Sequence, residues 1–105
     1  MTTAGVRVPS TTIALPMDLT IACVQALRMQ LADALLLERP LELDARAVDR
    51  CDTAGLQLLL AVRLAAAATQ PVLVTEAPES MLHAAAALGL TTPLGLTPLE
   101  TIPHA

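Results

Sequence analysis

The residues best suited to chemistry in this chain are Asp52, Thr53 and Gly55, where a carboxylate, a hydroxyl and a flexible backbone occur within four positions. The apolar segment Leu41 to Val48 before them predicts a strand. Leu56 to Leu64 after them is apolar on nearly all sides and predicts a largely covered helix. The three residues therefore lie at a predicted strand-to-helix turn, which is our first candidate for a functional site.

Thr53 has a structural and a functional interpretation. As a structural residue, either Thr53 or Asp52 caps the free backbone N–H groups of the first helical turn, which is worth roughly 0.5–2 kcal/mol. As a functional residue, Thr53 is a phosphorylation site. A phosphate there would lie at the positive end of the helix dipole, where the fold tolerates it, and would add nearly two negative charges beside Asp52. The spacing alone leaves both interpretations open.

Enzyme chemistry finds no support in the remaining residues. The chain contains no Walker loop and no GxGxxG, GxSxG or HExxH motif. His83 and His104 lack the neighbouring carboxylate or Cys arrangement of a metal site. Asp44, Asp49 and Asp52 are more typical of a solvated turn than of a catalytic cluster, since the acid, base and nucleophile roles cannot be filled together. We therefore predict a protein that is not an enzyme and uses no metal or cofactor.

The composition argues against several other classes of function. The chain has no Phe, Tyr or Trp and a formal net charge of -4, unlike proteins that stack on single strands or bind duplexes through a basic surface. No apolar run of about 18 residues predicts a membrane span, and the N-terminus does not resemble a secretory signal. We expect a cytoplasmic protein with no nucleic acid partner and no direct membrane insertion.

The two cysteines, Cys23 and Cys51, are expected to be free thiols, because they form no CxxC motif and have no His or Cys cluster near them. Cys51 is interpreted as a small turn residue. The alternative is a reactive, redox-sensing thiol, suggested only by its position in the turn before Thr53.

Hydrophobic periodicity divides the chain into alternating strands and helices. The predicted strands are Thr11 to Leu15, Leu41 to Val48 and Pro71 to Thr75. The predicted helices run from about Ile21, capped by Thr20, to before Glu38, from Asp52 or Thr53 to about Thr69, and from Met81, opened by Glu79 or Ser80, to about Leu88, with Gly89 as the C-cap. Val6 and Val8 predict a frayed arm or an edge strand, and the prolines of residues 93 to 105 predict an irregular tail.

Strands that alternate with helices imply right-handed crossovers and a mostly parallel sheet. In such sheets, sites form where strands end and helices begin. Thr53 lies at one such junction, and Glu76 and Ser80 lie at another. We expect these turns at the same edge of one sheet, where they form a surface that a partner reads. The helices are rich in Leu and Ala, which leaves homodimerisation open.

The segment from Leu41 to Leu90 resembles the STAS domain family, the group that includes the anti-sigma-factor antagonists. The resemblance rests on a strand ending in Leu43-Asp44, the element Asp52-Thr53-Ala54-Gly55-Leu56, a leucine-rich helix, the strand Val72-Leu73-Val74, Pro78-Glu79-Ser80 and the closing Leu88-Gly89-Leu90. With the helix between Leu19 and Leu37 included, it covers roughly residues 11 to 92.

The resemblance implies a single α/β domain over residues 1 to 105, with a core at about 11 to 92 and an irregular tail. It implies a mixed, largely parallel sheet of four or five strands flanked by three to four helices, and a non-enzymatic partner-switching regulator. In the family, the Ser or Thr after the Asp is phosphorylated by a partner kinase, often an anti-sigma factor, and a phosphatase resets the switch. By position Thr53 is the phosphoacceptor, and the predicted partner-binding residues are Asp44, Asp52, Thr53, Ala54, Gly55, Glu76 and Ser80.

Ala54 departs from the best-known members of that family, which usually have a second hydroxyl residue before the glycine. The pair Thr53-Ala54 is more similar to the chemotaxis-operon members and to the small STAS subunits of lipid-transporting ABC systems. In those subunits the domain binds the ATPase, and the threonine contributes to the contact. The resemblance therefore implies an anti-sigma-factor or serine/threonine kinase partner, with an ABC ATPase as the alternative.

Overall fold

The computed structural model describes residues 10–66 and 70–96. Within them the strands are β1 (Thr11–Ala14), β2 (Asp18–Leu19), β3 (Leu41–Asp44), β4 (Arg50–Cys51) and β5 (Val72–Thr75), and the helices are α1 (Val24–Leu35), α2 (Thr53–Ala65) and α3 (Glu79–Ala87). The expected α/β fold is confirmed, with three helices and five strands in these ranges, but the strands do not form the single mixed sheet that was predicted.

The five strands are divided between two sheets. One sheet has the order β1-β3-β5, and the other consists of β2 and β4. Every pairing is parallel, with Ile13 opposite Leu43 and Leu43 opposite Val74 in the larger sheet. The chain crosses from β1 to β3 and from β3 to β5 in the same direction, so right-handed crossovers place α1 and α2 on the same face. These two helices pack against each other there.

The core lies between that face of the sheet and the helices. Alternation along the strands turns Ile13, Leu41 and Leu43 inward while Thr12 and Ala14 remain exposed. Fully buried aliphatic side chains fill the space, and each contributes roughly 1.5–3 kcal/mol through burial; the largest are Leu15, Leu19, Leu31, Leu41, Leu43, Leu56, Leu59, Met81 and Leu94. Aliphatic residues alone therefore build this core.

The strand predicted over Leu41 to Val48 ends earlier, at Asp44. The Asp44 carboxylate accepts a hydrogen bond from the Arg46 backbone N–H at 3.0 Å, which turns the chain back on itself. Val48 is buried within the following loop. Its apolar character reflects burial rather than a place in the strand.

Helix α1 begins at Val24, three residues later than predicted, and Thr20 is not its side-chain cap. The Thr20 hydroxyl donates instead to the Asp18 carboxylate at 2.7 Å, and the N-cap is Cys23 without a side-chain bond. Asp18 belongs to β2, a strand that the sequence pattern did not predict.

Helices α2 and α3 deviate less from the prediction. Helix α2 ends at Ala65, before the predicted end near Thr69, because Ala66 already has extended backbone angles. Helix α3 starts at Glu79 after Pro78, with no side-chain cap. The C-cap of α3 is Leu88, and the glycine predicted there, Gly89, is the next residue, where its φ of +71° ends the helix.

The core extends past the predicted boundary at residue 92, because Leu94 and Leu96 are buried. The first residues of the predicted tail therefore belong to the folded domain. The arm or strand predicted at Val6 and Val8 and the tail from 97 to 105 lie outside the described residues. Among residues 10–66 and 70–96, no helix has the length and apolar character needed to cross a bilayer.

Candidate partner-binding site

The small β2–β4 sheet positions the turn that contains Thr53. Asp18 pairs with Arg50 and Leu19 with Cys51, and the Asp52 backbone N–H then donates to the Leu19 carbonyl at 3.2 Å. The chain enters α2 directly from this pairing. The sequence pattern predicts a turn where β4 lies, because a strand of two residues has no measurable alternation.

Asp52 fixes the start of α2 through both oxygens of its carboxylate. One oxygen accepts a hydrogen bond from the Gly55 N–H at 3.0 Å. The other accepts one from the N–H of Ile21, in the turn between β2 and α1, also at 3.0 Å. The Gly55 N–H, followed by the Ile21 N–H, lowers the pKa of the Asp52 carboxyl, so the residue is charged at neutral pH. Of the two candidate caps, Asp52 is therefore the residue that caps the helix.

Gly55 allows α2 to lie directly against β2. A Cβ at this position would lie well inside van der Waals contact with the Leu19 carbonyl oxygen and 2.7 Å from the Leu19 Cγ. Leu19 is fully buried and its carbonyl is held by Asp52, so it has no space to withdraw. Gly55 therefore permits a close backbone approach between α2 and β2, with Leu19 as the contacting residue.

Thr53 is the first residue of α2, and its side chain is exposed. Its hydroxyl forms no hydrogen bond with any residue of the described ranges. Because Asp52 caps the helix, the fold does not depend on this hydroxyl. Ala54 follows at the rim of a groove between α1 and α2.

Two exposed apolar side chains, which the sequence pattern does not mark, lie beside this turn. Ile21 is 71% exposed although its backbone N–H is bound by Asp52. Met17 is 63% exposed, while its carbonyl accepts the N–H groups of Asp49 and Arg50. Exposed apolar groups on a fixed backbone are a common feature of protein interfaces. No periodic pattern in the sequence marks their exposure, because Ile21 continues the spacing of the buried α1 stripe and Met17 lies outside the helix.

The other predicted binding residues lie on elements other than the Thr53 turn. Asp44, at the end of β3, forms an ion pair with Arg46 at 3.0 Å, and the Arg46 backbone N–H is the main cause that lowers its pKa. Glu76 follows β5 with a φ of +57°, and Ser80 is exposed in the first turn of α3. In the described ranges, none of these three residues hydrogen-bonds to the Thr53 turn.

The expectation of one sheet edge carrying both junctions is therefore corrected. Strand β4, which leads to Thr53, belongs to the two-stranded sheet, whereas β5, which leads to Glu76 and Ser80, belongs to the three-stranded sheet. Helix α3 packs against β4, which places the two junctions on neighbouring elements. The binding role of Asp44, Glu76 and Ser80 stays a prediction.

Cys51 lies next to the site without the properties of a reactive thiol. Burial, with a smaller contribution from the Asp52 charge, raises the pKa of Cys51 to about 11. Its sulfur lies 3.9 Å from the Asp52 carbonyl oxygen. Since the thiolate is the reactive form, this environment argues against the alternative of a thiol sensor. No group of His, Cys, Asp and Glu residues suited to a metal occurs in the part of the chain that the structure describes.

A family described as "Mlab, STAS domain" matches residues 6–98 of the 105. The match covers most of the chain and agrees with the α/β fold, so the chain belongs to the STAS domain family. No curated protein and no solved structure gives a significant match to the chain.

Proposed function

We propose that this protein is a non-enzymatic partner-switching regulator of the anti-sigma-factor-antagonist type, which binds a kinase or anti-sigma partner through the surface around Thr53. STAS domains are generally regulatory and bind other proteins, including kinases and components of ABC transporters. The observation that carries the proposal is that Asp52, not Thr53, caps α2. The exposed hydroxyl of Thr53 therefore forms no bond that the fold requires among the described residues.

Phosphorylation of Thr53 would change the surface while leaving the fold intact. The phosphate would lie at the first residue of α2, where the positive end of the helix dipole favours an anion. It would add nearly two negative charges next to the ionised Asp52 carboxylate. A partner that contacts Ile21 and Met17 would then meet a charged group that must lose water at the rim of an apolar contact. We expect the phosphorylated form to release the partner.

The experiment is an affinity capture from the cells that make the protein, with the intact mass of the recovered protein recorded. Wild type is compared with Thr53→Ala and Thr53→Glu. Thr12→Glu is the matched control. It adds the same charge as Thr53→Glu, and Thr12 is exposed on the sheet face away from α1 and α2. The proposal expects a kinase-like partner on wild type and on the control, at least tenfold less on Thr53→Glu, and a fraction of wild type heavier by one phosphate. Equal capture by all four proteins contradicts it.

The second candidate is a small regulatory subunit bound to an ABC ATPase, in which Thr53 is a contact residue that never carries phosphate. Ala54 favours it: where a second hydroxyl would stand, the chain places a methyl group at the rim of the α1–α2 groove. The same capture separates the candidates. An ATPase recovered with unmodified wild type, and lost from Thr53→Glu, supports the subunit. A kinase as the main partner rules it out.

A further inference from the structure

A groove runs along the outer surface between α1 and α2. Two adjoining hollows of about 250 Å³ and 160 Å³ share Arg28, Leu58 and Ala61, so they are parts of one depression. We call it the α1–α2 groove; its ends are marked by Val24 and Leu35 on α1 and by Ala54 and Ala65 on α2. From Ala54 to Ala65 it extends about 16 Å, the length of three helical turns.

The lining of the α1–α2 groove is apolar apart from Gln25, Arg28 and Gln57. Arg28 is the only ionisable side chain among the lining residues, and it forms no ion pair with the described residues. The nearest acid along α1 in the C-terminal direction, Asp33, is turned about 140° away around the helix. In a chain with a net charge of -4, the groove therefore offers an isolated positive charge above an apolar floor.

We infer that the α1–α2 groove binds an amphipathic helix of the protein partner, with its apolar stripe on the groove floor and a carboxylate paired with Arg28. The backbone on both sides of the groove is helical and internally hydrogen-bonded, so an added strand would find no free N–H or C=O groups to pair with. Affinity must come from side chains. Small residues such as Ala32, Ala61 and Ala65 let a third helix approach closely.

The groove continues the surface around Thr53. Gln57 lies one helical turn after Thr53 on the same side of α2 and lines the groove. A phosphate on Thr53 would therefore stand at the groove's end and repel the acidic helix that Arg28 attracts. The inference rests on the proposed function, since it names the segment of the partner that this regulatory surface receives.

The test uses the full-length protein in its source cells, with the photo-crosslinking residue benzoylphenylalanine in place of Gln25, an exposed rim residue of the groove. The same residue in place of Ala87, exposed on α3, is the control. A third protein carries it in place of Thr53. The crosslinked peptides are sequenced. The inference expects the Gln25 position to capture a partner segment that is an amphipathic helix bearing Asp or Glu, and the Ala87 position to give none of it.

Arg28 variants then test the ion pair. Arg28→Glu should lower the crosslink yield from the Gln25 position at least tenfold, whereas Arg28→Lys should largely retain it. When the partner carries Lys in place of its acidic residue, the charges are exchanged, and the Arg28→Glu protein should regain the crosslink. Because Arg28 is exposed, these variants should keep the wild-type melting temperature. An Arg28→Glu protein that crosslinks as wild type does overturns the ion pair and with it the inference.

Other occupants of the groove overturn the inference in recognisable ways. These are a second copy of this chain, the chain's own residues 97–105, or an extended segment of a partner. If only the Thr53 position captures the partner, the groove inference fails and the proposed function stands. If the Gln25 position captures the acidic helix equally well from protein carrying Thr53→Glu, the groove inference stands and the switch fails. If no position captures a partner, both fail.

Discussion

Replacing Gly55 with Ala tests whether the contact between α2 and β2 holds the site together. At most helical positions this change gains about 1 kcal/mol, because Ala is the better helix former. Here the new methyl carbon would stand 2.7 Å from the Leu19 Cγ and 2.9 Å from the Leu19 carbonyl carbon, and closer still to the carbonyl oxygen. Ordinary carbon–oxygen contacts begin near 3.3 Å, so the backbone must separate by about 1 Å.

The cost of that separation outweighs the gain in helix propensity. Overpacking typically costs about 1–3 kcal/mol, and a clash with a buried, hydrogen-bonded backbone belongs at the upper end. Subtracting the propensity gain leaves a net loss of about 2 kcal/mol, or roughly 8–16 °C in melting temperature for a domain of this size. The moved helix would also pull Asp52 away from Ile21, so the amide NMR signal of Ile21 should shift.

Gly89→Ala is the matched control for this prediction. Gly55 lies in the first turn of α2, and Gly89 lies just past the end of α3. Nothing lies within 4 Å of a Cβ added at Gly89, so the φ of +71° is the source of strain there. That strain costs about 1 kcal/mol and leaves the Ile21 signal unchanged. Thermal unfolding and amide spectra of both variants provide the comparison. A Gly55→Ala protein as stable as wild type, with Ile21 unmoved, would refute the account of how β2 positions α2.

Three further outcomes follow from buried and titrating groups. With Cys23→Ser as background, Cys51 should react with iodoacetamide at pH 8 about 100-fold more slowly than a free thiol of pKa 9.0, because its pKa of about 11 reduces the thiolate fraction by that factor. Gln70→Ala should cost roughly 1–3 kcal/mol in urea unfolding, since the buried amide donates to the carbonyl of Leu35, the last residue of α1, and to that of Arg39 in the following loop. Gln30→Ala, on the exposed side of α1, should change little. The pKa of Asp52 in the folded protein lies below its unfolded value of about 3.9. The charged carboxylate therefore stabilises the fold above that pH, and this stabilisation is lost as the pH falls through the folded pKa. Asp52→Asn should flatten the acid side of the curve of unfolding free energy measured between pH 2 and pH 6.

The long elements of this fold were predictable from sequence because their patterns are long. The apolar spacing from Val24 to Leu35 and the compact strand at Val72 specify their own conformation and the face that they bury. Their alternation then determined the parallel sheet, since crossovers are right-handed. The end of β3 was missed because the turn depends on one side-chain bond from Asp44, and apolar residues beyond it are buried without being extended.

The site was predictable in its residue types and unpredictable in its assembly. Thr53 was identified from its place at a strand-to-helix turn, whereas the sequence left Thr53 and Asp52 equal as caps. The bond from the Gly55 N–H identifies Asp52 as the cap, and a second bond comes from the Ile21 N–H, which is 31 positions away in sequence and meets Asp52 only in the folded chain. The β2–β4 pairing that creates this contact is too short to show a period. The exposure of Met17 and the lack of an ion pair for Arg28 among residues 10–66 and 70–96 were hidden for the same reason, because exposure and pairing are properties of the assembled surface.

The most direct test of the central claim is the affinity of the captured partner for the protein with and without a phosphate on Thr53, measured by isothermal titration at physiological ionic strength. Thr12→Glu serves as the control for added charge. The account predicts binding at least tenfold weaker for the phosphorylated protein, about 1.4 kcal/mol in binding free energy, with the control equal to the unmodified protein. Equal affinity for the two forms of wild type, in a protein whose mass confirms the phosphate, would contradict it.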